Sequence, residues 1–410
     1  MEITGYAGDY RIFRENPNMA YLDNAATTQR PDTVIEAVKD FYMESNANPY
    51  RGVYDLSHHA TEAYRDARQM AAQFIASRSE EIVFTRNTTD GINLAVRAYC
   101  TQSAQRRHSA HKLNIVTTVA EHHSVFVTAQ QIAKELGLEF RVAKQLDVYG
   151  GVETESILSL IDTYTVAVVV SYAGNVLGNW NDIRTIADKA HDEGAVIIVD
   201  AAQSVAHRQI NVDMLDADFL AFSGHKMYGP MGIGVLYGKQ WILDSVRPIT
   251  FGGGAITSVH EDETIFACSP RKFEPGTPNV AGAVGLAEAI RYILSIGWSE
   301  ITETEKELGA YMYDVLNGIR GVDIYGEQGG TICSFNVKGV HAHDEAEICS
   351  DYSVCIRAGN HCAQPLMEAM GLPGGAARSS LCFYNTKWDI DMLALAIEKA
   401  KVVFGSGKIF

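Results

Sequence analysis

Four polar clusters in this 410-residue sequence carry side chains suited to holding and activating an organic cofactor, and each directly follows a short apolar run. The first, Arg86-Asn87-Thr88-Thr89-Asp90-Gly91, opens a helical pattern through Ile92, Ala95, Val96 and Tyr99. Hydroxyls and free amides at a helix N-terminus form an anion site, which makes Thr88 and Thr89 candidate phosphate ligands. Glu121-His122-His123 follows NIVTTV at 114–119. Adjacent histidines on extended chain point opposite ways, a poor metal pair, but His122 could lie flat on an aromatic ligand. Asp200 ends AVIIVD at 195–200, with Gln203 one turn on. A carboxylate there costs several kcal/mol of desolvation unless a cation or strong donors meet it. Finally, Ser223-Gly224-His225-Lys226-Met227-Tyr228-Gly229-Pro230 follows DFLAFS at 218–223. Glycines permit a sharp turn, Ser223 and His225 can hold a phosphate, and Lys226 stands where its amine could form a Schiff base.

Each cluster alone also has a purely structural reading: a threonine or aspartate N-cap, a satisfied histidine, a surface lysine in a turn. Together, an anion site, a ring-stacking histidine, a buried carboxylate and a lysine at successive strand ends describe a pocket for pyridoxal 5'-phosphate. That cofactor needs a Schiff-base lysine and a charged partner for its pyridine nitrogen. Nucleotide readings fail, because the sequence has no GxGxxG and no GxxxxGK, and GPMGIG at 229–234 has the wrong spacing.

The elements that must position these residues follow from periodicity. EIVFT (81–85), NIVTTV (114–119), TVAVVVS (165–171), AVIIVD and DFLAFS alternate with amphipathic stretches, the rhythm of an α/β fold. Several runs are β-branched on both faces, which predicts a mainly parallel sheet buried between helix layers, with ligands at the strands' carboxyl ends. After about residue 270 the pattern changes to helices at 281–296 and 304–317, short strands at 331–337 and 354–357, and a C-terminal helix through Ile390, Leu393, Ala394 and Ile397. The expected division is a large α/β domain at 21–270 and a smaller α+β domain from 1–20 and 271–410.

A hydrophobic fraction of 47% supports a sizeable core, and a net charge of -16 opposes binding to nucleic acid. No apolar run approaches a membrane span, and MEITGYAGDYRIF lacks the features of a secretory signal, so a cytoplasmic protein away from membranes is expected. The seven cysteines, Cys100, Cys268, Cys333, Cys349, Cys355, Cys362 and Cys382, are scattered without a CxxC pair, which suits free thiols. No metal is expected; HAHD at 341–344 reads as small-domain surface.

Further motifs carry a family likeness over nearly the whole chain. YLDNAATTQRP (21–31), RGVYDLSHHAT (51–61), VFTRNTTDGIN (83–93), EHHS (121–124), GNVLG (174–178), VDAAQS (199–204), DFLAFSGHKMYGPMGIGVLYG (218–238), FEPGTPN (273–279) and RAGNHCAQPLM (357–367) resemble the group II, Suf-type cysteine desulfurases. Those enzymes are fold-type I, class V members of the aminotransferase superfamily, close to the selenocysteine lyases. The resemblance implies that Lys226 is the Schiff-base lysine, Asp200 the pyridinium partner and His122 the ring-stacking base. Gln203 and Asn175 would approach the phenolic oxygen of the ring, and Thr88, Thr89, Ser223 and His225 would hold the phosphate. Thr277 would come from the other subunit of a homodimer. Arg378 would clamp the substrate carboxylate with Asn175 and Arg357 beside it, and Cys362 would carry a persulfide, its thiolate favoured by Arg357 and His361. L-cysteine would become L-alanine, and the sulfur would pass to a Suf-type acceptor for iron-sulfur clusters or other pathways. The alternatives are a selenocysteine lyase acting on L-selenocysteine, a class V aminotransferase or lyase on another amino acid, or a silent scaffold subunit. Asn360, Asn179-Trp180 and Arg247 depart from the family pattern.

Overall fold

The computed structural model describes residues 5–106 and 111–405; residues 1–4 and 406–410, which the sequence reading assigned to the small domain, lie outside it. Its centre is a sheet of seven strands: β1 (Ile82–Thr85), β2 (Asn114–Thr118), β3 (Glu139–Ala143), β4 (Thr165–Ser171), β5 (Val196–Asp200), β6 (Phe219–Ser223) and β7 (Gly234–Gly238). Their order is β1-β7-β6-β5-β4-β2-β3. Pairings among β2, β3, β4, β5 and β6 are parallel, and β7 alone runs against both neighbours. The ends at Thr85, Thr118, Ser171, Asp200 and Ser223 therefore share one edge, the place where a parallel sheet presents its ligand.

The β-branched runs are explained by burial on both faces. Every residue of β4, β5 and β6 is buried, and alternate residues enter different cores: Val168, Val170, Ile197 and Val199 one, Val169, Ile198 and Ala221 the other. Strand β3 lies at the sheet edge and is half wet. Helices α1 (Asp55–Phe74), α2 (Thr88–Arg106) and α3 (His123–Leu136) cover the faces, α1 on the first core and α2 and α3 on the second.

Helix α4 (Val280–Ile296), read from sequence as the start of the small domain, instead packs on α1 within the first core, as do Tyr10 and Phe13. Its apolar residues surround much of its circumference, and such a helix needs cover on more than one side. Helix α5 (Trp298–Asn317) follows at once. Among the described residues no single helix is long and apolar enough to cross a membrane; α4 and α5 pass on length and composition only as a pair bent by 79°.

The smaller body is an antiparallel sheet of β8 (Val322–Tyr325), β9 (Ile332–Val337), β10 (Arg357–Gly359) and β11 (Ala376–Ser380), ordered β8-β9-β11-β10. Helices α6 (Ala342–Asp351) and α8 (Lys387–Gly405) complete it, around Met312, Phe335, Leu393 and Ile397, while α7 (Gln364–Ala369) puts Leu366 and Met367 in a separate cluster with Val176 and Leu177. The strand expected at 354–357 divides: Val354–Cys355 pairs with Ala20–Tyr21, and Arg357 begins β10.

One buried ion pair ties the segment before Thr277 to the large sheet. Arg68 meets Glu274 through two contacts of 2.7 Å, and the same carboxylate accepts from the Phe84 amide at 2.7 Å. Removing one partner of such a pair leaves a buried uncompensated charge. Arg68→Ala should therefore lower stability by about 3–5 kcal/mol, read as a fall in the urea midpoint.

Candidate active site

A cavity of about 190 Å³ lies against the shared strand edge. At one end Thr88 begins α2, its amide donating to Ser223 Oγ at 2.8 Å while the two hydroxyls lie 2.7 Å apart. The Asn87 side chain caps the turn by accepting from the Asp90 amide at 2.9 Å. Strand β7 passes directly beneath this turn because residue 234 is glycine: a Cβ there would stand 2.8 Å from Asn87 Cα. His225 approaches Thr27 Oγ1 with its Nδ1 at 3.4 Å, and burial pushes its pKa down to about 4. Amides of a first helical turn, three hydroxyls and a neutral imidazole make a donor-rich cradle for a phosphate.

The middle of the cavity is organised around Asp200, 4% exposed. Its carboxylate accepts from the Ala202 amide at 2.9 Å and from Ser124 Oγ at 3.3 Å, and burial raises its pKa. His122 caps α3, with Nδ1 accepting from the Ser124 amide at 3.0 Å. Burial, reinforced by the charge of Lys226, pushes His122 down to about 3, so the ring is neutral. Lys226 ends a short 3-10 turn that follows β6, and two residues later Tyr228 has φ of 66°. Burial pushes its amine down to about 8 against the opposing pull of Asp200. Gln203 also lines the cavity and donates to Ala25 O at 2.7 Å.

The far wall comes from the small body. Arg378, 1% exposed, donates from Nη1 to Asn175 O at 2.6 Å and from Nη2 to Asp23 Oδ1 at 3.2 Å; its Nε has no partner among the described residues. Burial pushes its pKa down to about 10. Arg357 pairs with Arg378 across β10 and β11, and its Nη2 lies 3.7 Å from Cys362 Sγ. The loop carrying the thiol is pinned at two carbonyls: Asn175 Nδ2 donates to His361 O, and the His123 amide donates to Cys362 O, both at 2.7 Å. His361 and Cys362 have φ of 48° and 57°, a conformation that costs side-chain-bearing residues about 1–3 kcal/mol each.

Lys226, Asp200, His122, Gln203, Thr88, Thr89, Ser223, His225, Asn175, Arg357 and Arg378 thus all line one cavity, and Cys362 stands beside it. One expectation needs amendment. His361 supplies no charge to the thiol: its ring turns to Ala376 O at 2.9 Å, and burial pushes it down to about 3. Thr277 lies outside the cavity, lining clefts with Glu274 and Pro278. The sequence reading gave no role to Asn87, Ser124 or Asp23; all three stand inside quoted motifs, but the roles of Ser124 and Asp23 depend on neighbours distant in sequence. Among the departures, Trp180 stacks under the Arg208 guanidinium at 3.8 Å, the Asn360 carbonyl accepts from Ala363, and Arg247 is exposed. His341 and His343 stack on each other at the start of α6, and the described residues include no metal-binding cluster.

The residues fit pyridoxal phosphate. Asp200 is buried where a pyridinium N–H would meet it, the hydroxyl cradle suits a phosphate, and the orphaned Arg378 Nε suits a carboxylate. Residues 20–393 match the family model described as Aminotransferase class-V. The chain belongs to the class-V aminotransferase family. A probable cysteine desulfurase of Halalkalibacterium halodurans is 43% identical over 94% of each chain. A cysteine desulfurase of Haloferax volcanii is 42% identical over 94% of this chain and 90% of its own. The apo structure of a cysteine desulfurase from Thermococcus onnurineus superposes with a TM-score of 0.91 at 37% identity, covering 98% of this chain and 99% of that one. The fold-type I architecture and the dependence on pyridoxal phosphate expected above are those of this class-V family.

In this class-V aminotransferase fold the lysine amine carries a stability cost that pH exposes. Its pKa is near 8 folded and 10.5 unfolded, so between those values the unfolded chain binds more protons and stability rises with pH. At pH 7 the cofactor-free Lys226→Met variant should exceed cofactor-free wild type by about 3 kcal/mol, a gap that closes above pH 10.5. Urea unfolding at both pH values measures it.

Proposed function

We propose that this chain is a group II, Suf-type cysteine desulfurase that converts L-cysteine to L-alanine and carries the released sulfur as a persulfide on Cys362. The observation that carries this reading is a thiol 3.7 Å from the guanidinium of Arg357, on a loop pinned at two carbonyls, beside the cavity that Arg357 and Lys226 line. Curated relatives at 41–43% identity over 94% of the chain, named as desulfurases, support it.

Pyridoxal phosphate, when bound, supplies an electron sink for charge left on the substrate carbons. Thr88, Thr89, Ser223 and His225 would hold its phosphate, His122 would cover the ring, Asp200 would meet the pyridine nitrogen, and Gln203 and Asn175 would approach the phenolic oxygen. Arg378 takes the substrate carboxylate, with Asn175 and Arg357 beside it. An amine with a pKa near 8 is partly neutral at physiological pH, and Lys226 is accordingly suited to remove the Cα proton. The Cys362 thiolate then attacks the substrate sulfur. A sulfur–sulfur bond forms as the Cβ–sulfur bond breaks, the electron pair stays with the three-carbon fragment, and that fragment takes up two protons, one at Cβ and the one Lys226 removed back at Cα, to leave as alanine. Arg357 balances the negative charge of the attacking sulfur.

We further assign the sulfur to a Suf-type acceptor protein in the cytoplasm and the chain to a homodimer. The position of Thr277 outside its own cavity supports the dimer, since the partner subunit's Thr277 can then complete the phosphate site. So do the exposed apolar side chains of Met43, Val53 and Tyr54. All seven cysteines are unpaired, which suits a reducing compartment.

After exposure to L-cysteine, mass spectrometry should find one added sulfur atom on the peptide containing Cys362, with alanine formed alongside. Cys362→Ala should lose persulfide and desulfuration by orders of magnitude. Unmodified Cys362 with no alanine would reject the reading. Light scattering should give a dimer that Val53→Asp dissociates, with weaker retention of the cofactor.

A further inference from the structure

We propose that Asp23 is a positioning residue for Arg378, fixing the guanidinium for the carboxylate of the substrate and holding Arg357 and Arg378 together; this rests on the reading of Arg378 as the carboxylate clamp. The two arginines stand directly opposite each other in the small sheet. Like charges so placed repel, and a guanidinium 1% exposed is costly without a counter-charge. Asp23 is the only carboxylate that pairs with either arginine among the described residues.

Its position is built by the backbone. The Leu22 amide donates to Cys355 O at 2.9 Å, the Ser380 amide donates to Leu22 O at 2.7 Å, and Asp23 itself bridges to Ser380. The N-terminal strand is thus stitched between the segment leading to Arg357 and the strand carrying Arg378. The carboxyl is partly buried, and burial raises its pKa while Arg378, then Arg357 and Lys226, act to keep it ionised. With Nη1 given to Asn175 O and Nη2 to Asp23, the plane of the guanidinium is fixed, and the buried Nε, without a partner among the described residues, and the second hydrogen of Nη2 remain as donors for a ligand. A fork held in advance binds a carboxylate without losing further rotamer freedom.

The test uses the holoenzyme, with Asp23→Asn, Asp23→Glu, Arg378→Lys and the Asp23→Asn, Arg378→Lys double variant. Two probes divide the site: 3-mercaptopropionate has the carboxylate without the amine, and cysteamine has the amine without the carboxylate. Asp23→Asn should raise KM for L-cysteine and the inhibition constant of 3-mercaptopropionate by about tenfold or more, the scale of one charge-assisted hydrogen bond. Turnover at saturation, inhibition by cysteamine and the visible absorbance of the bound cofactor should stay near wild type. Asp23→Glu should recover part of the loss, and Asp23→Asn should add little once residue 378 is lysine. Unchanged KM, equal loss for both probes, or a full additive effect in the Arg378→Lys background would overturn the proposal. If wild type made no alanine from L-cysteine, the desulfurase reading would fall first; wild type active and Asp23→Asn indifferent would sink this inference alone.

Discussion

A carboxylate buried at the carboxyl end of the central strand is the constraint around which the rest of the molecule is arranged. Among the described residues Asp200 has two hydrogen-bond donors, one from the next turn and one from Ser124, and burial works against its charge. It is stable there as an anion only if a cation completes its surroundings, and a protonated pyridine ring is such a cation. Three neighbouring strand ends answer the same demand: one presents the helix turn for a phosphate, one a neutral imidazole, one the lysine. Packing would be served better by apolar residues at all four positions. The sheet spends stability at this edge to hold a charged ligand.

The smaller body contributes what the sheet cannot. Its antiparallel strands set Arg357 and Arg378 side by side, and the tight loop after β10 brings Cys362 within reach of Arg357. Backbone strain at His361 and Cys362 is held by hydrogen bonds from Asn175, on a loop, and His123, at the start of α3, both in the large body. Thiol and lysine are therefore held in one frame, although 136 residues separate 226 from 362 in the chain.

Much of this was legible in the sequence. Strands buried on both faces left uninterrupted β-branched runs, and the polar residue ending each run marked the ligand edge directly, so β4, β5 and β6 and their terminal residues were read correctly. Strand β7 and the edge strand β3 were not, because one begins and ends in glycine and the other alternates only partly. Helix α4 was misassigned because amphipathic pattern reports that a helix is buried but not against which body. Asp23 and Ser124 act through partners 355 and 76 residues away, a relation that no local pattern encodes. The direction of the His361 ring was equally invisible, since adjacency to Cys362 in sequence says nothing about side-chain direction in a left-handed turn.

The central claim is that the amine of Lys226 and the Asp200 carboxylate share one ring-sized cavity. Borohydride treatment of the cofactor-loaded protein, followed by proteolysis and peptide mapping, tests it most directly. The account predicts that the reduced cofactor is fixed covalently to the peptide containing Lys226, and that Lys226→Ala leaves no lysine labelled in its place. A label on another lysine, or a loaded protein from which reduction releases all the cofactor, would contradict it.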